Sequence, residues 1–227
     1  MRLLLIRHGQ TPNNVAGALD TARPGAGLTA LGQAQARAVP AALAEEDVAA
    51  VYASVLTRTQ LTAAPLAEAH GLEVQVVEGL EEISAGDLEM RTDKESVRAY
   101  VDTLGRWAHG DLDHAMPGGP DGHAFFQRYD AALGAIVAAH PDATVAVVSH
   151  GAAIRLWTAV RAAGVGPEHA LEHRLMNTGL AVLDGSFDEG WRLLRWHEEP
   201  LGGVDLEDLA AHDVTGDSSD AAVEEAG

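Results

Sequence analysis

With 227 residues, the chain has material for one α/β domain with a sizeable core and a short appended segment. Its formal net charge of −19 argues against nucleic acid or an anionic membrane as a partner. It has no cysteine, which excludes disulfides, thiolate catalysis and cysteine-bound metal and fits a cytoplasmic location.

The first predicted element is a buried strand over residues 3–6. Its four apolar residues are far short of the ~20 that cross a bilayer, and no small-residue cleavage site follows them. Residues 48–53, 74–77 and 144–149 are similar apolar or β-branched runs, read as strands mostly buried on both faces. Helical patterns lie between them. One covers residues 29–43, with Thr29 as N-cap; another covers 57–70 and ends at Gly71. Two more cover 122–140, before Pro141, and 152–163, before Gly164. The alternation predicts a three-layer α/β/α sandwich around a mostly parallel sheet. Residues 180–183 and 191–196 predict a late hairpin turning at Asp184-Gly185-Ser186.

Residues 84–119 interrupt this rhythm with no strand signal, and are read as a small cap inserted over an active site. The main domain is therefore drawn over residues 1–202. Residues 203–227 hold eight acidic side chains and no Lys or Arg, and are expected to form a solvated, disordered acidic tail.

Arg7-His8-Gly9-Gln10-Thr11 falls at the carboxyl end of the first strand, and Ser149-His150-Gly151 at the end of another. Ligands bind at that edge of an open α/β sheet. A glycine lets the backbone approach a ligand, and the helix N-terminus that follows favours an anion. One such histidine is more often a capping or core residue; two in matched positions point to chemistry.

These motifs resemble those of the histidine phosphatase superfamily, the phosphoglycerate-mutase-like group with an Arg-His-Gly signature. Arg7-His8-Gly9 with Asn14, Ala53-Ser54 leading to Arg58, Leu80-Glu81-Glu82-Ile83 and Ser149-His150-Gly151 follow in the family's order. Gln10 stands where Glu is more common, Gly118-Gly119-Pro120 where Gly-Glu-Ser is frequent, and Met90 where Gly is. The last two departures fall beside the cap, so they bear on the leaving-group pocket.

The resemblance implies a catalytic set of His8, Glu82, His150, Arg7 and Arg58. His8 is the nucleophile, and phosphate is bound by Arg7, His8, Asn14, Arg58, His150 and Gly151. Arg7 and Arg58 suit the equatorial oxygens as planar forks, and a protonated His150 would add a third donor. Glu82 would give a proton to the leaving group, with Glu81 its rival one residue away. Arginine and histidine supply the positive charge, so no cofactor or metal is expected. The expected partner is a small phosphorylated substrate, with no nucleic acid and no membrane; the oligomeric state stays open, a homodimer included.

His169-Ala170-Leu171-Glu172-His173 matches an inverted zinc-protease pattern, but lacks a third ligand downstream and is read as an exposed helix. The function expected is hydrolysis of a small phosphomonoester through a phosphohistidine on His8. The alternatives are a phosphoglycerate-type mutase using the same site and a silent phospho-ligand binding protein.

Overall fold

The computed structural model describes residues 1–208 and 210–226. Its strands are β1 (Arg2–Arg7), β2 (Val48–Ala53), β3 (Val74–Val76), β4 (Thr144–Ser149), β5 (Leu180–Ser186) and β6 (Gly190–His197). They form one sheet in the order β3-β2-β4-β1-β5-β6. β1 to β4 pair in parallel, and β5 and β6 are added antiparallel at one edge. The helices are α1 (Pro12–Val15), α2 (Ala30–Ala42), α3 (Thr57–Ala69), α4 (Lys94–Ala108), α5 (Gly122–Ala139), α6 (Gly151–Arg161), α7 (Pro167–Glu172) and α8 (Ser219–Glu225).

Side chains alternate along a strand, and both faces of this sheet are covered. Leu4 and Ile6 of β1 join Val51 and Val148 against Val39 of α2 and Leu66 of α3. Leu3 and Leu5 face the other way, into a larger core with Tyr129 and Leu133 of α5 and Trp157 of α6. The result is the expected three-layer α/β/α arrangement. Thr29, the predicted N-cap, accepts from Gly32 N at the start of α2, and at the start of α5 Asp121 accepts from Ala124 N.

Residues 84–119 hold a 3-10 turn (Gly86–Leu88) and α4, with an isolated bridge from Ala115 to Asp121 just beyond. α4 is amphipathic. Its Val97, Tyr100, Val101 and Trp107 enter the larger core, and Trp107 stacks on Phe125 with ring centroids 6.2 Å apart. The insertion is thus anchored through one helix face.

Two sequence expectations need correction. Asp184, Gly185 and Ser186 continue β5, and the chain turns after Ser186 instead. Gly185 has φ +139° and pairs with Trp191 where a Cβ would strike Gly190 O, so this glycine serves close strand approach. The acidic segment after residue 202 is also not solvated throughout. Residues 213–217 are buried, and α8 caps the larger core with Ala222. Composition misjudged this stretch because its carboxylates are matched by arginines far back in the chain.

Candidate active site

Arg7 and Ser149 are register partners at the ends of β1 and β4, and His8 N donates to Ser149 O at 3.1 Å. His8 and His150 therefore leave adjacent parallel strands at the same edge. Their rings meet at a centroid distance of 5.3 Å and an interplanar angle of 61°. Ser54, just past β2, is tied into the same edge through its N–H to Val148 O at 3.2 Å.

His8 is almost fully buried, and its Nδ1 lies 2.8 Å from Gly9 O. A carbonyl only accepts, so Nδ1 carries the proton and Nε2 keeps its lone pair. Burial, with Arg58 and Arg7 adding to it, holds the His8 pKa well below its ordinary value. Asn177 Nδ2 donates to His8 O at 3.1 Å and fixes the backbone from the other side.

Around the two rings stand buried donors. Arg7 donates through Nη1 to Leu175 O at 2.8 Å, and through Nη2 to Asp213 Oδ1 at 2.6 Å and Thr215 Oγ1 at 3.0 Å. Arg58 donates through Nη2 to Asp20 O at 2.8 Å, with its Nη1 3.5 Å from Asp20 Oδ2. His150 Nε2 lies 2.7 Å from Ser54 Oγ. Among the described residues, Arg7 Nε, Arg58 Nη1 and His150 Nδ1 are buried and have no hydrogen-bond partner. Buried polar groups without hydrogen bonds are costly, and these three, near a neutral imidazole and with Arg58 Nη1 only in long contact with Asp20, are suited to an anion.

A charge on His150 is not needed for this. Burial first, then Arg58 and His8, hold its pKa well below the ordinary value. With Ser54 Oγ–H donating to Nε2, the neutral ring still offers Nδ1–H. Gly151 opens α6, where a Cβ would come 2.8 Å from Arg7 Nε and strike Thr215 O. Asn14 lies in the same cluster, but its side chain is engaged. Its Oδ1 accepts from Thr11 N at 2.9 Å, and its Nδ2 donates to Asp213 Oδ1 at 3.1 Å.

Glu82 is buried, and its carboxyl accepts from Ile83 N at 2.8 Å, Ala153 N at 2.9 Å and Ala152 N at 3.2 Å. Desolvation outweighs these bonds and raises its pKa. Glu81 behaves oppositely. Burial would raise its pKa, but hydrogen bonding to Arg23 leads the groups that bring it down. Arg128 clamps this loop through Gly79 O (2.8 Å), Glu81 O (2.9 Å) and Glu82 O (2.7 Å). An open cleft of ≈ 730 Å³ lies against it, lined by Thr21, Arg23, Glu81, Glu82, Arg128 and Ala132 among others.

The fold gathers His8, His150, Arg7, Arg58 and Glu82, the residues the motifs point to. Ser54, Asn177, Asp213 and Thr215 join them without a sequence expectation. Ser54 adjoins the Arg58 motif and was within reach; Asp213 and Thr215 had no signal beyond their place in an acidic segment. His169 and His173 lie outside this cluster, their tilted rings 4.4 Å apart between centroids, with His169 also against Trp196 and His173 on Glu198 at 2.9 Å.

Two strand-end histidines and two buried arginines are thus gathered at one edge of a mostly parallel sheet covered on both faces. The chain belongs to the histidine phosphatase superfamily (branch 1), whose family model matches residues 3–199. A PE-PGRS family protein of Mycobacterium tuberculosis is 38% identical over 216 residues; these are 88% of this chain but only 37% of that protein's length. The adenosylcobalamin/alpha-ribazole phosphatase of Escherichia coli is 32% identical over 180 residues, 79% of this chain and 87% of its own. The structure of mycobacterial glucosyl-3-phosphoglycerate phosphatase in complex with VO3 superposes with a TM-score of 0.72 and 28% identity, covering 87% of this chain and 99% of that one. Relatives with enzyme names of this kind ally the chain with the phosphoric monoester hydrolases. Among the described residues, no helix is long and apolar enough to cross a membrane.

Proposed function

We propose that the chain hydrolyses a small phosphomonoester through a phosphohistidine formed on His8. The observation that carries this reading is the Nδ1 contact to Gly9 O, which leaves Nε2 unprotonated beside Arg7 Nε, Arg58 Nη1 and His150 Nδ1. Nε2 attacks phosphorus, the ester P–O bond breaks, and the three donors take the charge gathering on the equatorial oxygens. Glu82, kept protonated more readily by its burial, gives its proton to the leaving oxygen. Its carboxylate then takes a proton from water, whose oxygen attacks the phosphohistidine. Phosphate leaves and Nε2 is free again.

Hydrolysis is favoured over a mutase reaction by the cleft beside Glu82. Its Arg23 is paired with Glu78 at 3.0 Å and with Glu81, and Arg128 is spent on three carbonyls and on Glu81 at 3.7 Å. Neither cation is left for the second phosphate of a bisphosphorylated intermediate. The test is rapid quenching with a labelled monoester: acid-labile, base-stable label on His8 is expected in the wild type. Turnover by His8→Ala at the wild-type rate would overturn the reading.

A further inference from the structure

Asp213 is the carboxylate that meets the phosphate-site groups from the acidic segment. Its Oδ1 accepts from Arg7 Nη2 at 2.6 Å and from Asn14 Nδ2 at 3.1 Å, and its side chain is about nine-tenths buried. Thr215 takes the same Nη2 at 3.0 Å, and Leu175 O takes Nη1 at 2.8 Å. The polypeptide is packed onto the guanidinium closely enough that a Cβ on Gly216 would strike Arg7 Nη1. Asp213 is itself held, since its N–H donates to Asp217 Oδ2 at 3.2 Å and Asp217 meets Arg174 Nε at 3.2 Å.

A carboxylate against a phosphate arginine has two opposite meanings. It either takes the substrate's place or holds the arginine in position for it. Three donors decide between them. A plug would be expected to satisfy the groups waiting for an oxyanion, yet Arg7 Nε and His150 Nδ1 have no partner, and Arg58 Nη1 no hydrogen bond beyond its 3.5 Å approach to Asp20 Oδ2, while Asp213 sits on Nη2. The tether uses the terminal nitrogens and leaves the Nε–H, which lies beside Gly151 at the start of α6. A fully buried guanidinium with a free rotor would lose that aim, and an uncompensated buried charge is unfavourable.

We infer that Asp213 is a positioning residue, which fixes Arg7 and Asn14 through one oxygen so that the Arg7 Nε–H is aimed at the substrate phosphoryl group. This rests on reading the cluster as the phosphate site. It assigns the acidic segment a part in the reaction that neither its composition nor the family motifs suggest.

The test measures binding of orthophosphate and orthovanadate to the full chain, together with KM and kcat for p-nitrophenyl phosphate. Asp213→Ala should weaken orthophosphate binding and raise KM by about tenfold or more, with a smaller fall in kcat. Asp213→Asn, which keeps an oxygen acceptor, should fall between it and the wild type, and it serves in place of Asp213→Ala if that variant does not fold. The discriminating measurement is a double-mutant cycle with Arg7→Ala. If Asp213 acts through Arg7, removing it from the Arg7→Ala protein costs no further affinity. Equal losses in both backgrounds, or tighter orthophosphate binding by Asp213→Ala, would overturn the inference. Failure of the wild type to bind orthophosphate or vanadate would count against the phosphatase reading itself.

Discussion

The rings of His8 and His150 lie 5.3 Å apart because their strands end in register, Arg7 opposite Ser149. Each ring is turned by a different neighbour. Gly9 O takes the His8 Nδ1 proton and leaves Nε2 bare; Ser54 Oγ meets His150 Nε2, and where its hydroxyl donates there, His150 Nδ1 carries the proton. On the proposed reading, two neutral imidazoles side by side supply a nucleophile and a hydrogen-bond donor. Had both been protonated, they would repel each other and both arginines.

Ser54→Ala follows from this arrangement. The substitution removes the hydroxyl that sets the His150 tautomer, and one neutral hydrogen bond contributes about 0.5–1.5 kcal/mol. KM for a monoester should rise by roughly 2–10-fold, with the melting temperature little changed. Unaltered KM would show that His150 takes its tautomer without Ser54.

Glu82→Gln should lower kcat by about 10²–10⁴ for substrates with poor leaving groups, the usual scale of general acid–base catalysis. With p-nitrophenyl phosphate, whose phenolate leaves without a proton, the loss should be much smaller. Glu81→Gln should show no such selectivity, since Glu81 is held by Arg23 and Arg128 and its pKa is lowered. The reverse pattern would move the proton donor to Glu81.

The central sheet and its flanking helices follow from short apolar runs and caps, which are local signals. Arg7, His8 and His150 belong to motifs at strand ends, whereas Arg58 and Glu82 were marked by the resemblance to the family, Glu82 lying in the loop after β3. What could not be read was non-local. Arg7 reaches Asp213 across 206 positions, and a cation-free segment looks disordered until its partners' places are known. Gly185 looked like a turn residue because Asp-Gly favours turns, whereas here it lets β5 and β6 approach. The charge state of His150 was left open by the sequence, since burial is a property of the assembled core.

The pH dependence of kcat/KM should carry both shifts. His8 attacks as the neutral ring, a form present above its pKa and lost as pH falls through it. Burial, with Arg58 and Arg7, puts that pKa well below 6.5, so the His8 limb lies on the acid side of 6.5. Glu82 acts as the acid, a form present below its pKa and lost as pH rises through it. Burial raises that pKa above the ordinary 4.5, which extends activity upward. The expected profile is a bell whose alkaline limb disappears in Glu82→Gln. An alkaline limb unchanged in that variant would assign it to another group.

Deleting the residues after 202 should destabilise the domain, contrary to what their composition suggests. The segment supplies Asp213 to Arg7, and Thr215 O and Asp217 O to the buried Arg155. It also buries Val214 and Ala222 in the larger core. Breaking one buried ion pair from one side costs about 3–5 kcal/mol. At about 2–4 °C per kcal/mol for a domain of this size, the Arg7 pair alone predicts a fall of roughly 6–20 °C in melting temperature. Thermal unfolding of the deleted chain checks this, and comparison with Asp213→Asn separates the charge from the lost packing. The point variant removes the same carboxylate charge while still filling the space, so it should show the part of the loss that belongs to the Arg7 pair, and the remainder reports the lost packing of Val214 and Ala222. A deleted chain that melts with the wild type would mean that the contacts of residues 213–217 add nothing to the folded state.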